Sequence, residues 1–254
     1  MLPKSSCEKC REITREFEEV CAREMIGAHR AQFGYRSSSG KPLSKELEFQ
    51  VHKAGTVSKK KVEASGAPLV PVIAPFFPAP GILRRVPPSD EGEFRPWTCA
   101  VNQNEPDQKR RIEMIHQNQA ELISFRVNFN PIIFMRVLAK IAHAGAISVY
   151  GADKVRSFLP DYILGRDPNL PYVVGSKPTE FPHSGNDHLH SLVEFGIYDA
   201  GDARYLTVAI ELFRYLYTGP SARGDRLPPY WIVVSEASDD LVQAVSGPGG
   251  QKDH

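Results

Sequence analysis

From Pro131 to Tyr150 the chain reads PIIFMRVLAKIAHAGAISVY, apolar on nearly every face of a helix. Asn130 is a good N-cap before it, Pro131 suits the first helical position, and Gly151 fits a C-terminal stop. A helix apolar all round has to be enclosed on most sides, so the rest of the chain must supply layers to cover it. Arg136, Lys140 and His143 interrupt the run, and such charges exclude an ordinary membrane span. The segment is therefore expected to be the core helix of a globular domain, with Ile133, Val137, Leu138, Ile141 and Ala142 at the centre. No membrane partner follows from it.

The covering layer is expected in the last third of the chain, where the period changes. Leu170 to Val174 is short and β-branched. His188 to Tyr198 and Arg204 to Leu216 flank Asp199-Ala200-Gly201-Asp202, a good hairpin turn. Tyr230 to Ser235 is a further strand, residues 121–127 another, and 153–164 a short helix bent or broken at Pro160. The fold class is α+β: one buried helix against a mostly antiparallel sheet, with a separate helical element at the N-terminus. With 254 residues and 41% hydrophobic content, there is material for a sizeable core and a wholly disordered chain is excluded.

Residues 8–33 read as a helix with Ile13, Phe17, Val20 and Cys21 on one stripe. Leu47, Phe49 and Val51 alternate as a strand, and Ala54-Gly55-Thr56 turns into a second one ending near Val62. Residues 1–66 hold 13 basic and 9 acidic side chains, a charge of +4, and the remainder holds 18 and 21, a charge of −3. The proline-rich stretch 67–96 reads as extended chain lying across a surface. The expected organisation is a basic N-terminal unit over 1–66, an α+β domain over 67–245, and a frayed tail over 246–254. The N-terminus has no apolar core before a small-residue cleavage site, so it is not a signal peptide, and the four cysteines are too few for a disulfide scaffold. A cytoplasmic, reduced protein is expected.

Cys7-Glu8-Lys9-Cys10 is the sharpest motif. Two intervening residues bring both sulfurs to one side of a tight turn, ready for a tetrahedral ion such as zinc. A structural site needs about four ligands. Cys21 lies roughly 16 Å further along the helix, by its rise per residue, and cannot join. Three readings stand: half of an incomplete zinc site, a site completed by distant histidines or Cys99, or inert cysteines. His188 and His190 share a strand face and, with His183, suggest a transition-metal site. Lys59, Lys60 and Lys61, with Arg36 nearby, form the basic patch suited to phosphates. The motifs of phosphate-loop nucleotide hydrolysis, dinucleotide binding and serine hydrolysis are absent from the sequence.

LPKSSCEKCREITREFEEVCAREMIGAHRAQFG resembles the segment after the histidine in a group of bacterial HNH endonuclease-family proteins, where a second CxxC lies on a helix. RVLAKIAHAGAISVYG, FLPDYILGRDPNLPYVVG and PYWIVVS are similar to the C-terminal region of the same proteins. The resemblance implies a DNA or RNA partner and assigns Cys7 and Cys10 to the second pair of a structural zinc site. The family's first CxxC and catalytic histidine stretch have no counterpart here. Read so, the chain is a truncated member without nuclease activity. The competing readings are a protein-interaction or dimerisation module using the proline-rich segment and Phe76-Phe77, and a metal hydrolase built on His183, His188 and His190.

Overall fold

In the computed structural model of the chain, residues 8–35, 46–70, 72–88, 95–99, 105–177, 190–212 and 229–246 are described. Helix α1 (Glu8–Val20) continues through a π-helical turn (Cys21–Met25) into α2 (Gly27–Gln32). The hairpin β1 (Glu46–Lys53) and β2 (Thr56–Glu63) follows. The proline-rich stretch supplies β3 (Val72–Phe76), α3 (Gly81–Arg84) and β4 (Arg95–Cys99). After it come α4 (Glu105–Asn118), β5 (Leu122–Ser124), α5 (Pro131–Tyr150) and α6 (Leu159–Ile163). A 3-10 turn (Leu170–Tyr172) leads to β6 (Val174–Ser176), β7 (His190–Asp199), β8 (Arg204–Leu212), β9 (Tyr230–Glu236) and α7 (Asp239–Ser246). The protein is α+β, and every strand pairing among the described residues is antiparallel. The strands form sheets ordered β2-β1-β5, β3-β4 and β6-β9-β8-β7.

The buried helix forms where its sequence signals place it. The Asn130 carboxamide oxygen accepts from the backbone N–H groups of Ile132 and Ile133, both at 3.1 Å, satisfying two of the donors that a helix start leaves open. Gly151 ends it at φ +87°, where a side chain is strained. Leu138, Ala139, Ala142 and Ala146 have no exposed surface. They face the inward side chains of the four-stranded sheet, Leu206, Val208 and Ile210 from β8 with Tyr230, Ile232 and Val234 from β9. The phase of the helix corrects the sequence expectation. Leu138 and Ala142 are central, but Ile133, Val137 and Ile141 are only partly buried, and Phe134, Met135, Ala139 and Ala146 take the inner positions. A run apolar on all sides gives no phase, and the closest approach goes to the small alanines.

The polar interruptions of that helix have structural work. Lys140 pairs with Glu18 and donates to the Thr14 hydroxyl at 2.9 Å, fastening α5 to α1. The Arg136 guanidinium lies against Gly165, where a Cβ would sit 2.6 Å from Nη2. His143 is half-buried with no partner at Nδ1, and burial lowers its pKa. On the other side of the joint, Phe17, Cys21 and Met25 enter the same core.

A second, smaller core lies under the hairpin. Leu47 and Phe49 from β1, Met114 from α4 and Ile123 from β5 are buried together with Ala64, Ala67 and Val70. This cluster runs unbroken across residue 66. Ala28 and Ala31 of α2 pack onto it, so the N-terminal helix spans both cores. In the proline-rich stretch Phe77 is buried against Tyr230, with ring centroids 5.9 Å apart. Of the Phe76-Phe77 pair expected as a contact surface, only Phe76 is therefore presented to solvent.

Candidate nucleic-acid interface

The lysine triplet lies on β2, an edge strand of its sheet. Alternation sends Lys59 and Lys61 to the open face and Lys60, opposite Phe49, toward the small core. An edge strand rich in lysine also resists pairing with another chain. The Lys60 ammonium reaches across to α4 and donates to the Asn118 side-chain oxygen at 2.7 Å. Asn118 in turn donates to the Met114 carbonyl at 2.6 Å, so the C-terminal end of α4 fixes the position of that cation. Lys53 to Gln119, at 2.8 Å, ties the hairpin to the α4–β5 connection at a second point.

Between β2 and α4 runs a groove of about 200 Å³. Lys60 and Lys61 line it from the strand, Arg110, Glu113 and Gln117 from the helix, and Val62, Met114 and Pro68 give it an apolar floor. Arg110, Glu113, Met114 and Gln117 stand three and four residues apart, on one face of α4. The cations do not all meet the groove in the same state. Lys59 is ion-paired with Glu48 at 2.7 Å on the open face of the hairpin. Lys61 and Arg110 make no hydrogen bond or ion pair among the described residues. Lys61, like Lys59, extends on the opposite face of the strand and meets the groove at the strand edge, so the cations on the α4 side are Arg110, with its charge unengaged, and Lys60, which keeps two N–H donors beyond its bond to Asn118.

Arg110 was not among the residues that the sequence singled out. Its signal is the run Lys109-Arg110-Arg111, a second basic triplet. Nothing in the sequence states that it packs beside the first, about fifty residues earlier. Arg36 lies outside the described residues. On the far face of the sheet, His52 Nε2 and Ser124 Oγ lie 2.9 Å apart, and Ser124 donates to Gln50 Oε1 at 3.4 Å. That pair holds the short strand β5 to β1.

The cysteine motif is only half described. Cys7 lies outside the described residues, and Cys10 is half-buried on the first turns of α1. Cys21 is buried at the far end of the helix, its thiol pushed up to about 11 by desolvation and by Glu18. Such a thiol resists becoming the thiolate that a metal needs. Among the described residues no three His, Cys, Asp or Glu side chains are grouped to hold a metal ion, so these residues alone do not compose the zinc site. His183 and His188 also lie outside them, and of His190 only the backbone is described, as the first residue of β7. Among the described residues one helix, α5, is long and apolar enough to cross a membrane by length and composition, and one face of it packs in the large core.

Compared with known proteins, the chain matches no family model, no curated protein and no solved structure.

Proposed function

We propose that the protein binds nucleic acid, DNA or RNA, in the manner of a non-cleaving relative of the HNH endonucleases, with the groove between β2 and α4 as its contact surface. The observation that carries this reading is the convergence of Lys60 and Arg110 on one groove from elements about fifty residues apart. Paired cations at a concave surface are what neutralising a phosphate backbone requires, and releasing its counterions supplies the binding energy. Sequence is not read by such contacts, which position the chain on its partner. The family part of the reading rests on the cysteine motif and the C-terminal stretches quoted above. It adds Cys7 and Cys10 as one pair of a structural zinc site, incomplete on its own, and no chemical step is routed through it. A cytoplasmic location goes with a nucleic-acid partner of this kind.

The test is a fluorescence-anisotropy titration of a labelled 20-nucleotide strand at low salt. Lys60→Ala combined with Arg110→Ala is expected to weaken binding about tenfold or more, because two phosphate contacts go. Lys154→Ala, an exposed cation beyond the end of α5, leaves affinity unchanged. Equal loss in both variants, or no binding by the unaltered protein, contradicts the proposal.

A further inference from the structure

The groove contains one residue that a purely phosphate-binding surface has no use for. Glu113 is the one acidic side chain in its lining, set among Lys60, Lys61 and Arg110. It nevertheless makes no ion pair with any of them or with any other described residue. Its two carboxylate oxygens are left as acceptors inside a cationic groove. Building on the nucleic-acid reading, we propose that the β2–α4 groove seats one nucleotide of a single strand and prefers guanine, with Glu113 reading the base and Lys60 and Arg110 holding the phosphate.

The choice of base follows from donor and acceptor inventories. An ionised carboxylate only accepts, and offers two oxygens side by side. On its Watson–Crick edge guanine presents two neighbouring donors, the N1–H and the 2-amino group. Adenine and cytosine each present one amino donor beside an acceptor, and thymine or uracil one N–H between two carbonyls. Guanine alone can satisfy both oxygens of Glu113. For the other bases a ring nitrogen or a carbonyl is brought against the carboxylate, which is repulsive. In a duplex those guanine donors are already bonded to cytosine, so the readout needs an unpaired strand.

At about 200 Å³ the open groove falls below the roughly 300–1,000 Å³ of a site that encloses a whole small molecule, so it takes the base and leaves sugar and phosphate at its rim. The apolar floor of Val62, Met114 and Pro68 suits the face of a base. On α4, Glu113 stands one helical turn beyond Arg110, about 4.5 Å along the axis, so base and phosphate are received by adjacent turns of a single helix.

The experiment compares three labelled 12-nucleotide strands at low salt: all thymidine, thymidine with one central guanosine, and thymidine with one central inosine. Inosine keeps the N1–H and lacks the 2-amino group. The guanosine strand is expected to bind about tenfold tighter than all-thymidine, with inosine between them. Glu113→Ala, a change at an exposed position, removes that difference and tightens the all-thymidine strand, because a negative charge leaves the groove. Equal binding of all three strands by the unaltered protein overturns the guanine readout while leaving nucleic-acid binding in place. So does a preference for guanosine that survives in Glu113→Ala. No binding to any strand overturns both readings, and tighter binding to the matching duplex overturns the single-strand assignment.

Discussion

The two cores of this protein are built to different standards. The larger, around α5 and the four-stranded sheet, buries residues such as Leu138, Leu159, Leu206, Ile210, Ile232 and Leu241 with essentially no exposure. The smaller, under the β1–β2 hairpin, has seven buried residues, three of them alanine or valine from the connection after β2, and each of Leu47, Met114 and Ala64 keeps a few per cent of its surface exposed. A thin core leaves its helix and its strand far enough apart for a groove, and charged side chains then line the gap. The large core holds the chain together, and the small one holds cations in place. The π-helical turn and α2 couple them, with Cys21 and Met25 in the first cluster and Ala28 and Ala31 against the second.

That division predicts unequal responses to truncation. Leu138→Ala, at a site with no exposure, is expected to cost about 2–5 kcal/mol in a two-state melt. A loss below about half a kcal/mol would make α5 peripheral and erase the contrast. Met114→Ala is expected to cost about 2 kcal/mol, near the low end of such changes, because Met114 lies at the groove wall and the thin cluster can close onto the space. Hydrogen exchange gives the sharper reading. Met114→Ala should speed exchange across β1 and β2 while the amides at the centre of α5 keep their protection. Equal loss of protection in both places would mean that the two clusters open as one unit.

A smaller effect is expected from His143, inside the large core. Burial lowers its folded pKa below the usual 6.5. On lowering the pH the unfolded chain takes up this proton first, so the contribution to stability is complete above about 6.5 and falls as the pH drops below it. His143→Gln should flatten the melting temperature over that acidic window. A stability that instead rises on acidification, and loses that rise in the variant, would mean that the imidazolium is stabilised in the fold.

The sequence discloses these two regions unequally, for physical reasons. Asn130, Pro131 and Gly151 mark α5 to within a residue, because capping chemistry is local. The β1–β2 turn is equally local, and Ala54 and Gly55 both take positive φ there. The inward face of α5 could not be read, since apolar residues on every side of the helix mask the one stripe, Phe134 to Tyr150, that the fold buries. Helix α4 went unrecognised because it is dominated by charged and amide side chains, with Ile112 exposed and Met114 as its one buried apolar residue among those described. Its place over the hairpin is set by tertiary contacts such as Lys60 with Asn118, which no local pattern encodes. For the same reason half of the candidate groove was legible, as the triplet at 59–61, and the half contributed by Arg110 and Glu113 was not.

The central claim, that Lys60 and Arg110 neutralise phosphates in the β2–α4 groove, is tested most directly by the salt dependence of single-strand binding. A plot of log affinity against log salt has a slope of about −0.7 for each phosphate neutralised. Lys60→Ala and Arg110→Ala should each reduce the steepness by about 0.7, and the double variant by about twice that. Affinity losses with an unchanged slope would contradict the account and locate the phosphate contacts elsewhere on the molecule.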